Sequence, residues 1–278
     1  MVNINGNIVD NESPTIGWQN RAFKYGDGIF DTLKFQNNHL YFIEDHYFRL
    51  MSSMRMLRMK IPLNFTLEYY EAQIKKTLFE NEIEDKARVR VNVFREDGGY
   101  YSPISNNVNF LIETDSLTKR EYSNYEIELY KDFQTASGLL ATIKTNNRII
   151  NVLSSIYAEE NDYQNCILLN EKKEIVEAMN ANIFLIKGNE VLTPPLDSGC
   201  INGIVRKKLI ELLGKNEIFS IKETQITPFE LLKADEVFLT NSITEIQSVD
   251  QYRKKHYSKE KSELIKVLFK KEIVKNLI

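Results

Sequence analysis

Lys144-Thr-Asn-Asn-Arg148, then Glu177-Ala-Met-Asn-Ala-Asn182-Ile-Phe184, then Thr193-Pro-Pro-Leu-Asp-Ser-Gly-Cys-Ile-Asn-Gly-Ile-Val-Arg206: this stretch decides how the chain is read. A lysine amine can form a Schiff base with a carbonyl, and a carboxylate can keep a ring nitrogen protonated so that the ring accepts electrons from a breaking bond. The third piece supplies a helix start. Ile204 to Gly214 has helical spacing, with Ile204, Leu209, Ile210, Leu212 and Leu213 on the apolar side and Gly214 as a stop. Asn202 and Gly203 precede it, so main-chain amides and the positive end of the helix dipole would face an anion. Every helix has such a terminus, and only its place after the lysine and the acid makes this one a phosphate candidate.

Around that stretch the chain reads as an ordinary globular protein. At 278 residues it is long enough for two domains, and 42% hydrophobic with 27% charged residues supplies both a core and a soluble surface. A net charge of −3 points to neither nucleic acid nor an anionic membrane. The opening Met-Val-Asn-Ile-Asn-Gly has no basic segment followed by an apolar run, and no window reaches a membrane-spanning length, so the expected location is the cytoplasm. Cys166 and Cys200 form no disulfide framework and read as buried free thiols. With His39, His46 and His256 scattered, no metal site is expected.

The first half alternates strands and helices. Ile4 to Val9, turning at Asn5-Gly6-Asn7, reads as a hairpin, and Gly28 to Phe35 with His39 to Phe42 as a second. Asp45 to Met56 and Thr66 to Phe79 have helical spacing, the latter with a cap expected near Asn64. Arg88 to Arg95 alternates basic and apolar residues as a half-buried strand, and Asn109 to Glu113 reads as another. Thr114 to Ser123 is the expected linker. Beyond it come strands at 126–129, 166–170, 182–186 and 236–239, and helices at 152–161, 204–214 and 259–278. The expected domains are 1–115 and 124–278, joined by residues 116–123.

These motifs together resemble the fold-type IV pyridoxal phosphate enzymes, which include branched-chain aminotransferases, D-amino acid aminotransferases and 4-amino-4-deoxychorismate lyases. Arg21-Ala-Phe-Lys-Tyr-Gly-Asp-Gly-Ile-Phe-Asp-Thr32 is similar to the N-terminal signature, and His46-Tyr-Phe-Arg49-Leu50 to the helix whose arginine holds the cofactor phosphate. The resemblance implies an α/β (α+β type) two-domain fold, pyridoxal 5'-phosphate as cofactor, and a homodimer. It implies Lys144 as the Schiff-base lysine, Glu177 as the partner of the pyridine nitrogen and Asn182 as its support. Arg49, Gly203, Ile204, Val205, Asn241 and Ser242 would hold the phosphate. Lys-x-x-Asn-Arg at 144–148, Asn180 to Phe184 and Phe30-Asp-Thr32 are most similar to the lyases, with Thr32 as the implied proton donor to the leaving group. The segment Arg95-Glu-Asp-Gly-Gly-Tyr-Tyr101 lacks a loop arginine found in such lyases, so Arg21, Arg90 or Arg95, with Tyr25, would read the substrate carboxylate.

From the residues alone, other readings stand beside these. Glu177 could be an exposed turn residue, Asn241 and Ser242 could cap a helix, and Thr32 could be a plain β-branched strand residue. The lyase leads, an amino acid transaminase is the alternative, and a non-catalytic binding protein is the third class.

Overall fold

The computed structural model of the chain describes residues 1–10, 12–13, 16–118 and 122–275. They fall into two compact units, Met1–Lys119 with Lys144–Asn147, and Arg120–Ile143 with Arg148–Ile278. The short segment carrying Lys144 groups with the first unit, although it lies within the expected second domain, 124–278, in chain order. Part of the expected linker, residues 119–121, lies outside the described residues.

The first unit comprises β1 (Val2–Ile4), β2 (Asn7–Val9), α1 (Arg21–Tyr25), β3 (Gly28–Gln36), β4 (His39–Leu40), α2 (Ile43–Met56), α3 (Leu67–Glu80), β5 (Lys86–Arg95) and β6 (Val108–Ser116). Its six strands form one antiparallel sheet in the order β2-β1-β6-β5-β3-β4. Both expected hairpins are present, and Asn5-Gly6 and Asn37-Asn38 take the positive φ angles that tight hairpin turns demand. In β5 the alternation works as read: Val89, Val91 and Val93 are fully buried, while Arg88, Arg90 and Asn92 face the other side, half-buried. Each buried valine contributes on the order of 1.5–3 kcal/mol of apolar burial. Helix α2 packs on β3, and α3 on β6.

Two expectations here needed correction. The cap of α3 is Thr66, not Asn64, because its side chain accepts the Tyr69 amide. Strand β6 runs on to Ser116, since β5 still offers Ala87 as a partner there, so the linker cannot begin at Thr114.

The second unit comprises β7 (Glu126–Leu129), α4 (Ile149–Glu160), β8 (Asn165–Leu169), β9 (Ile175–Ala178), β10 (Asn182–Lys187), β11 (Glu190–Thr193), α5 (Ile204–Leu213), β12 (Ser220–Glu223), α6 (Pro228–Lys233), β13 (Glu236–Asn241), β14 (Glu245–Ser248), β15 (Gln251–Tyr252), β16 (Lys255–His256) and α7 (Glu260–Lys275). Its two five-stranded sheets run β12-β11-β10-β13-β14 and β16-β15-β7-β8-β9. Ile127, Ile167, Ile183, Leu185, Val237 and Leu239, all essentially inaccessible, belong to the one hydrophobic cluster that both sheets share. Among the described residues no helix is long and apolar enough to cross a membrane, and no group of His, Cys, Asp and Glu could hold a metal ion.

Candidate active site

The lysine is fixed to the edge of β3. The Phe30 amide donates to the Lys144 carbonyl at 2.8 Å and the Asn146 amide to the Gly28 carbonyl at 2.9 Å, with Ile29 and Thr145 in an isolated antiparallel bridge. Glycines make this approach possible: a Cβ on Gly28 would sit 2.7 Å from Asn146 Nδ2, and one on Gly26 would collide with the Asn147 side chain. Gly26 also holds a φ of 64°. The Gly-x-Gly of the N-terminal motif and the Asn-Asn after the lysine thus answer each other. Lys144 Nζ comes to rest 4.5 Å from the centre of the Phe30 ring, and the Arg90 guanidinium lies 3.8 Å from the same centre. Thr32 lies directly across from Arg90 in the β3–β5 register and shares a strand face with Phe30. Burial, eased by Glu113, pushes the Arg90 pKa down, although a guanidinium keeps its charge.

The opposite face of β3 holds a buried charge cluster. Asp31 is 1% exposed and accepts from His46 Nδ1 at 2.7 Å and from Arg49 Nε and Nη2 at 3.1 and 2.5 Å. Burial alone would raise the Asp31 pKa, but the Arg49 charge and the His46 ring hold it well below the usual carboxylate range. Asp31 and His46 are functional candidates that the motif reading did not single out. The signal was present: Asp31 interrupts the buried alternation Ile29, Leu33, Phe35, and a carboxylate there demands partners. His46 and Arg49, three apart on the next helix, share a face.

Arg21 and Arg95, the other two arginines expected to read a substrate carboxylate, are committed elsewhere. Arg21, 3% exposed, bonds to Asp27 and to the carbonyls of Gly98, Tyr100 and Tyr101. Arg95, 6% exposed, bonds to Asp27, Asn106 and the Leu57 carbonyl. Both hold loop backbone in place. The Tyr25 ring lies 5.6 Å from that of Tyr101, tilted by 49°, and under the Arg21 guanidinium at 5.1 Å, so it belongs to this loop cluster.

In the second unit, Glu177 is buried on β9 and not in an exposed turn. Its Oε2 accepts the Ile201 amide at 2.9 Å and a long contact from Asn182 Nδ2 at 3.5 Å, while Asn182 also donates to the Ile201 carbonyl. The Arg148 guanidinium donates to the Ile143 carbonyl, and its charge is coupled to Glu177. Arg148 belongs to the lysine motif, but sequence reading gave it no role. Helix α5 starts at Gly203 with no side-chain cap, and a Cβ there would collide with Asn182 Oδ1. Asn241 and Ser242 cap no helix. They form the β13–β14 turn, in which Asn241 Oδ1 accepts the amides of Ile243 and Thr244. Next to them Thr240 Oγ1 is buried and makes no hydrogen bond among the described residues. Thr240 was also missed, since a threonine inside a strand carries no signal of its own. The cysteines are buried as expected, and burial pushes both thiols up to about 12.

The sequence profile of the amino-transferase class IV family matches residues 28–252, most of the chain. The chain belongs to that family. It is 27% identical over 237 residues to an aminodeoxychorismate lyase of Vibrio harveyi, covering 82% of this chain and 84% of that one. A probable branched-chain-amino-acid aminotransferase of Aquifex aeolicus is 27% identical over 266 residues, covering 88% and 81%. A D-alanine aminotransferase of Bacillus licheniformis is 25% identical, covering 87% and 84%. Among solved structures, a branched-chain aminotransferase of Thermoproteus uzoniensis superposes with a TM-score of 0.87 at 20% identity, over 99% of this chain and 95% of that one. A Brucella abortus aminotransferase bound to pyridoxal phosphate superposes with a TM-score of 0.86 at 18% identity, over 98% of both chains. The fold is that of the class IV enzymes.

Proposed function

We propose that this class IV enzyme is a 4-amino-4-deoxychorismate lyase, a pyridoxal phosphate-dependent enzyme that forms 4-aminobenzoate and pyruvate for folate synthesis. The observation that carries this reading is the seating of Lys144 on β3, with its amine on the Phe30 ring beside Arg90 and with Thr32 opposite Arg90. Likeness to the Vibrio harveyi lyase supports it as well.

The residues present fit the cofactor. In the second unit, the uncapped start of α5 at Gly203-Ile204-Val205, the Asn241-Ser242 turn and the buried Thr240 hydroxyl offer donors to a phosphate; in the first unit, Arg49 offers a guanidinium to an anion. Glu177, its Oε2 positioned by the Ile201 amide and Asn182, offers a carboxylate to a ring nitrogen. When bound, pyridoxal phosphate supplies an electron-accepting ring that stabilises negative charge on the substrate carbon next to the amine.

Lys144 would hold the cofactor, and its freed amine would take the proton from the substrate carbon that bears the amine. The bond between the ring carbon and the enolpyruvyl oxygen then breaks. Thr32 delivers a proton to the departing group, which leaves as pyruvate, and the ring becomes aromatic. Arg90, more exposed than Arg21 and Arg95 and held by longer contacts to Glu113 at 3.6 Å and Asn92 at 3.3 Å, receives a substrate carboxylate. The protein acts as a cytoplasmic homodimer, for which the exposed Trp18, Phe23, Tyr100, Tyr101 and Ile104 of the first unit offer apolar surface.

Branched-chain or D-amino acid transamination is the second reading, favoured by the likeness to the Aquifex and Bacillus aminotransferases. Purified enzyme is given aminodeoxychorismate without an acceptor, and separately L-leucine, L-glutamate or D-alanine with a keto acid. Pyruvate release from the first alone supports the lyase. Keto-acid exchange in the second, without release in the first, establishes the transaminase instead.

A further inference from the structure

The Asp31–His46–Arg49 cluster is graded in burial. The side chains of Asp31 and His46 are each 1% exposed, whereas that of Arg49 is 13% exposed. A carboxylate on the core face of a strand is costly unless paired and hydrogen-bonded. Asp31 meets that demand with a two-pronged contact in which Oδ2 takes Arg49 Nε and Oδ1 takes Nη2, so the plane of the guanidinium is set by two bonds. His46 donates its Nδ1 proton to the same Oδ1 at 2.7 Å, and the Thr32 amide adds a contact at 2.6 Å. The carboxylate is thus gripped from β3 and α2 together, and Arg49 is the one member that reaches outward. Below it the Tyr70 hydroxyl is buried without a hydrogen bond among the described residues, and burial, then the Asp31 charge, raise its pKa.

We infer that Asp31, locked by His46, is a positioning residue that presents the Arg49 guanidinium in a fixed orientation to the cofactor phosphate. This rests on the assignment of Arg49 to that phosphate. Asp31 touches neither substrate nor cofactor. A carboxylate that only stabilised the fold would affect ligands with and without a phosphate alike. One that sets an arginine for a phosphate discriminates between them.

The test titrates the full-length protein, stripped of cofactor, with pyridoxal 5'-phosphate and with pyridoxal, following absorbance and thermal stability. Arg49→Ala and Asp31→Asn are each expected to raise the Kd for pyridoxal 5'-phosphate roughly tenfold to a hundredfold, from loss of charge-assisted bonds, while leaving that for pyridoxal within about threefold. His46→Asn, whose amide can stand where Nδ1 stood, is expected to keep the phosphate preference, and His46→Leu to lose it. If Arg49→Ala lowers the preference and Asp31→Asn does not, positioning is refuted while the assignment of Arg49 stands. If Arg49→Ala leaves the preference intact, the assignment itself fails and the inference goes with it. Should Asp31→Asn prove unstable, the His46 pair decides: equal behaviour of the Asn and Leu variants overturns the inference.

Discussion

Replacing Gly28 with alanine puts one methyl group into the contact that seats Lys144. The new Cβ would lie 2.7 Å from Asn146 Nδ2 and 3.2 Å from both the Phe94 Cβ and the Val93 carbonyl oxygen. Asn146 can swing aside, but β5 cannot withdraw its carbonyl without disturbing the pairing of Gly28 with Phe94. Overpacking of this kind costs about 1–3 kcal/mol, and reduced freedom of the unfolded chain returns about 0.4–1 kcal/mol. Pairing low with low and high with high, the net destabilisation is roughly 0.6–2 kcal/mol, or roughly 1–8 °C in apparent Tm. Because Asn146 follows Lys144 by two residues, the amine is displaced as well. Gly17→Ala serves as the control, its nearest foreign atom being Asp97 Oδ2 at 3.9 Å. The assay combines thermal unfolding with the visible absorbance of the lysine-linked cofactor. A Gly28→Ala protein matching Gly17→Ala in both readouts would refute the reasoning that glycine clears the lysine's seat.

Three further outcomes are expected. Arg90→Met, which keeps apolar volume on the Phe30 ring, should raise KM for a carboxylate substrate roughly tenfold to a hundredfold with little change in Tm, as steady-state kinetics and a melting curve will show. The Asp31 carboxyl has a folded pKa below its ordinary 3.8, so the stability it lends is complete above about pH 4 and fades as pH falls below that value; acid titration should therefore separate wild type from Asp31→Asn near neutrality and bring them together in strong acid. Cys166 and Cys200, buried and with thiols pushed up to about 12, should react with a disulfide reagent at pH 8 only slowly until denaturant is added, when both react at once.

Much of the fold was legible because its signals are local. The Asn-Gly and Asn-Asn turns, the Arg-Val alternation of β5 and the spacing of α2, α3 and α5 each follow from a few neighbouring residues. The pairs β11–β12 and β15–β16 were missed because strands of two to four residues show no measurable period, and β12 is stabilised by a partner far upstream. Helix α6 was legible and passed over: Thr227-Pro-Phe-Glu230 is a capping box with proline at the first turn. In the site, the lysine and the acid could be ordered from motifs, but their supports could not. Ile201 and Glu177 are 24 positions apart, and only folding shows the amide of one on the carboxylate of the other. The same holds for Arg21 and Arg95, whose capture by Asp27 no spacing reveals.

The most direct test follows 4-aminobenzoate and pyruvate when cofactor-loaded enzyme meets freshly generated aminodeoxychorismate, with Lys144→Ala alongside. Equal amounts of both products from the wild type, and neither product from the variant, are the result predicted here. Wild-type enzyme that carries cofactor yet yields neither product, or a Lys144→Ala variant that turns over at the wild-type rate, would contradict it.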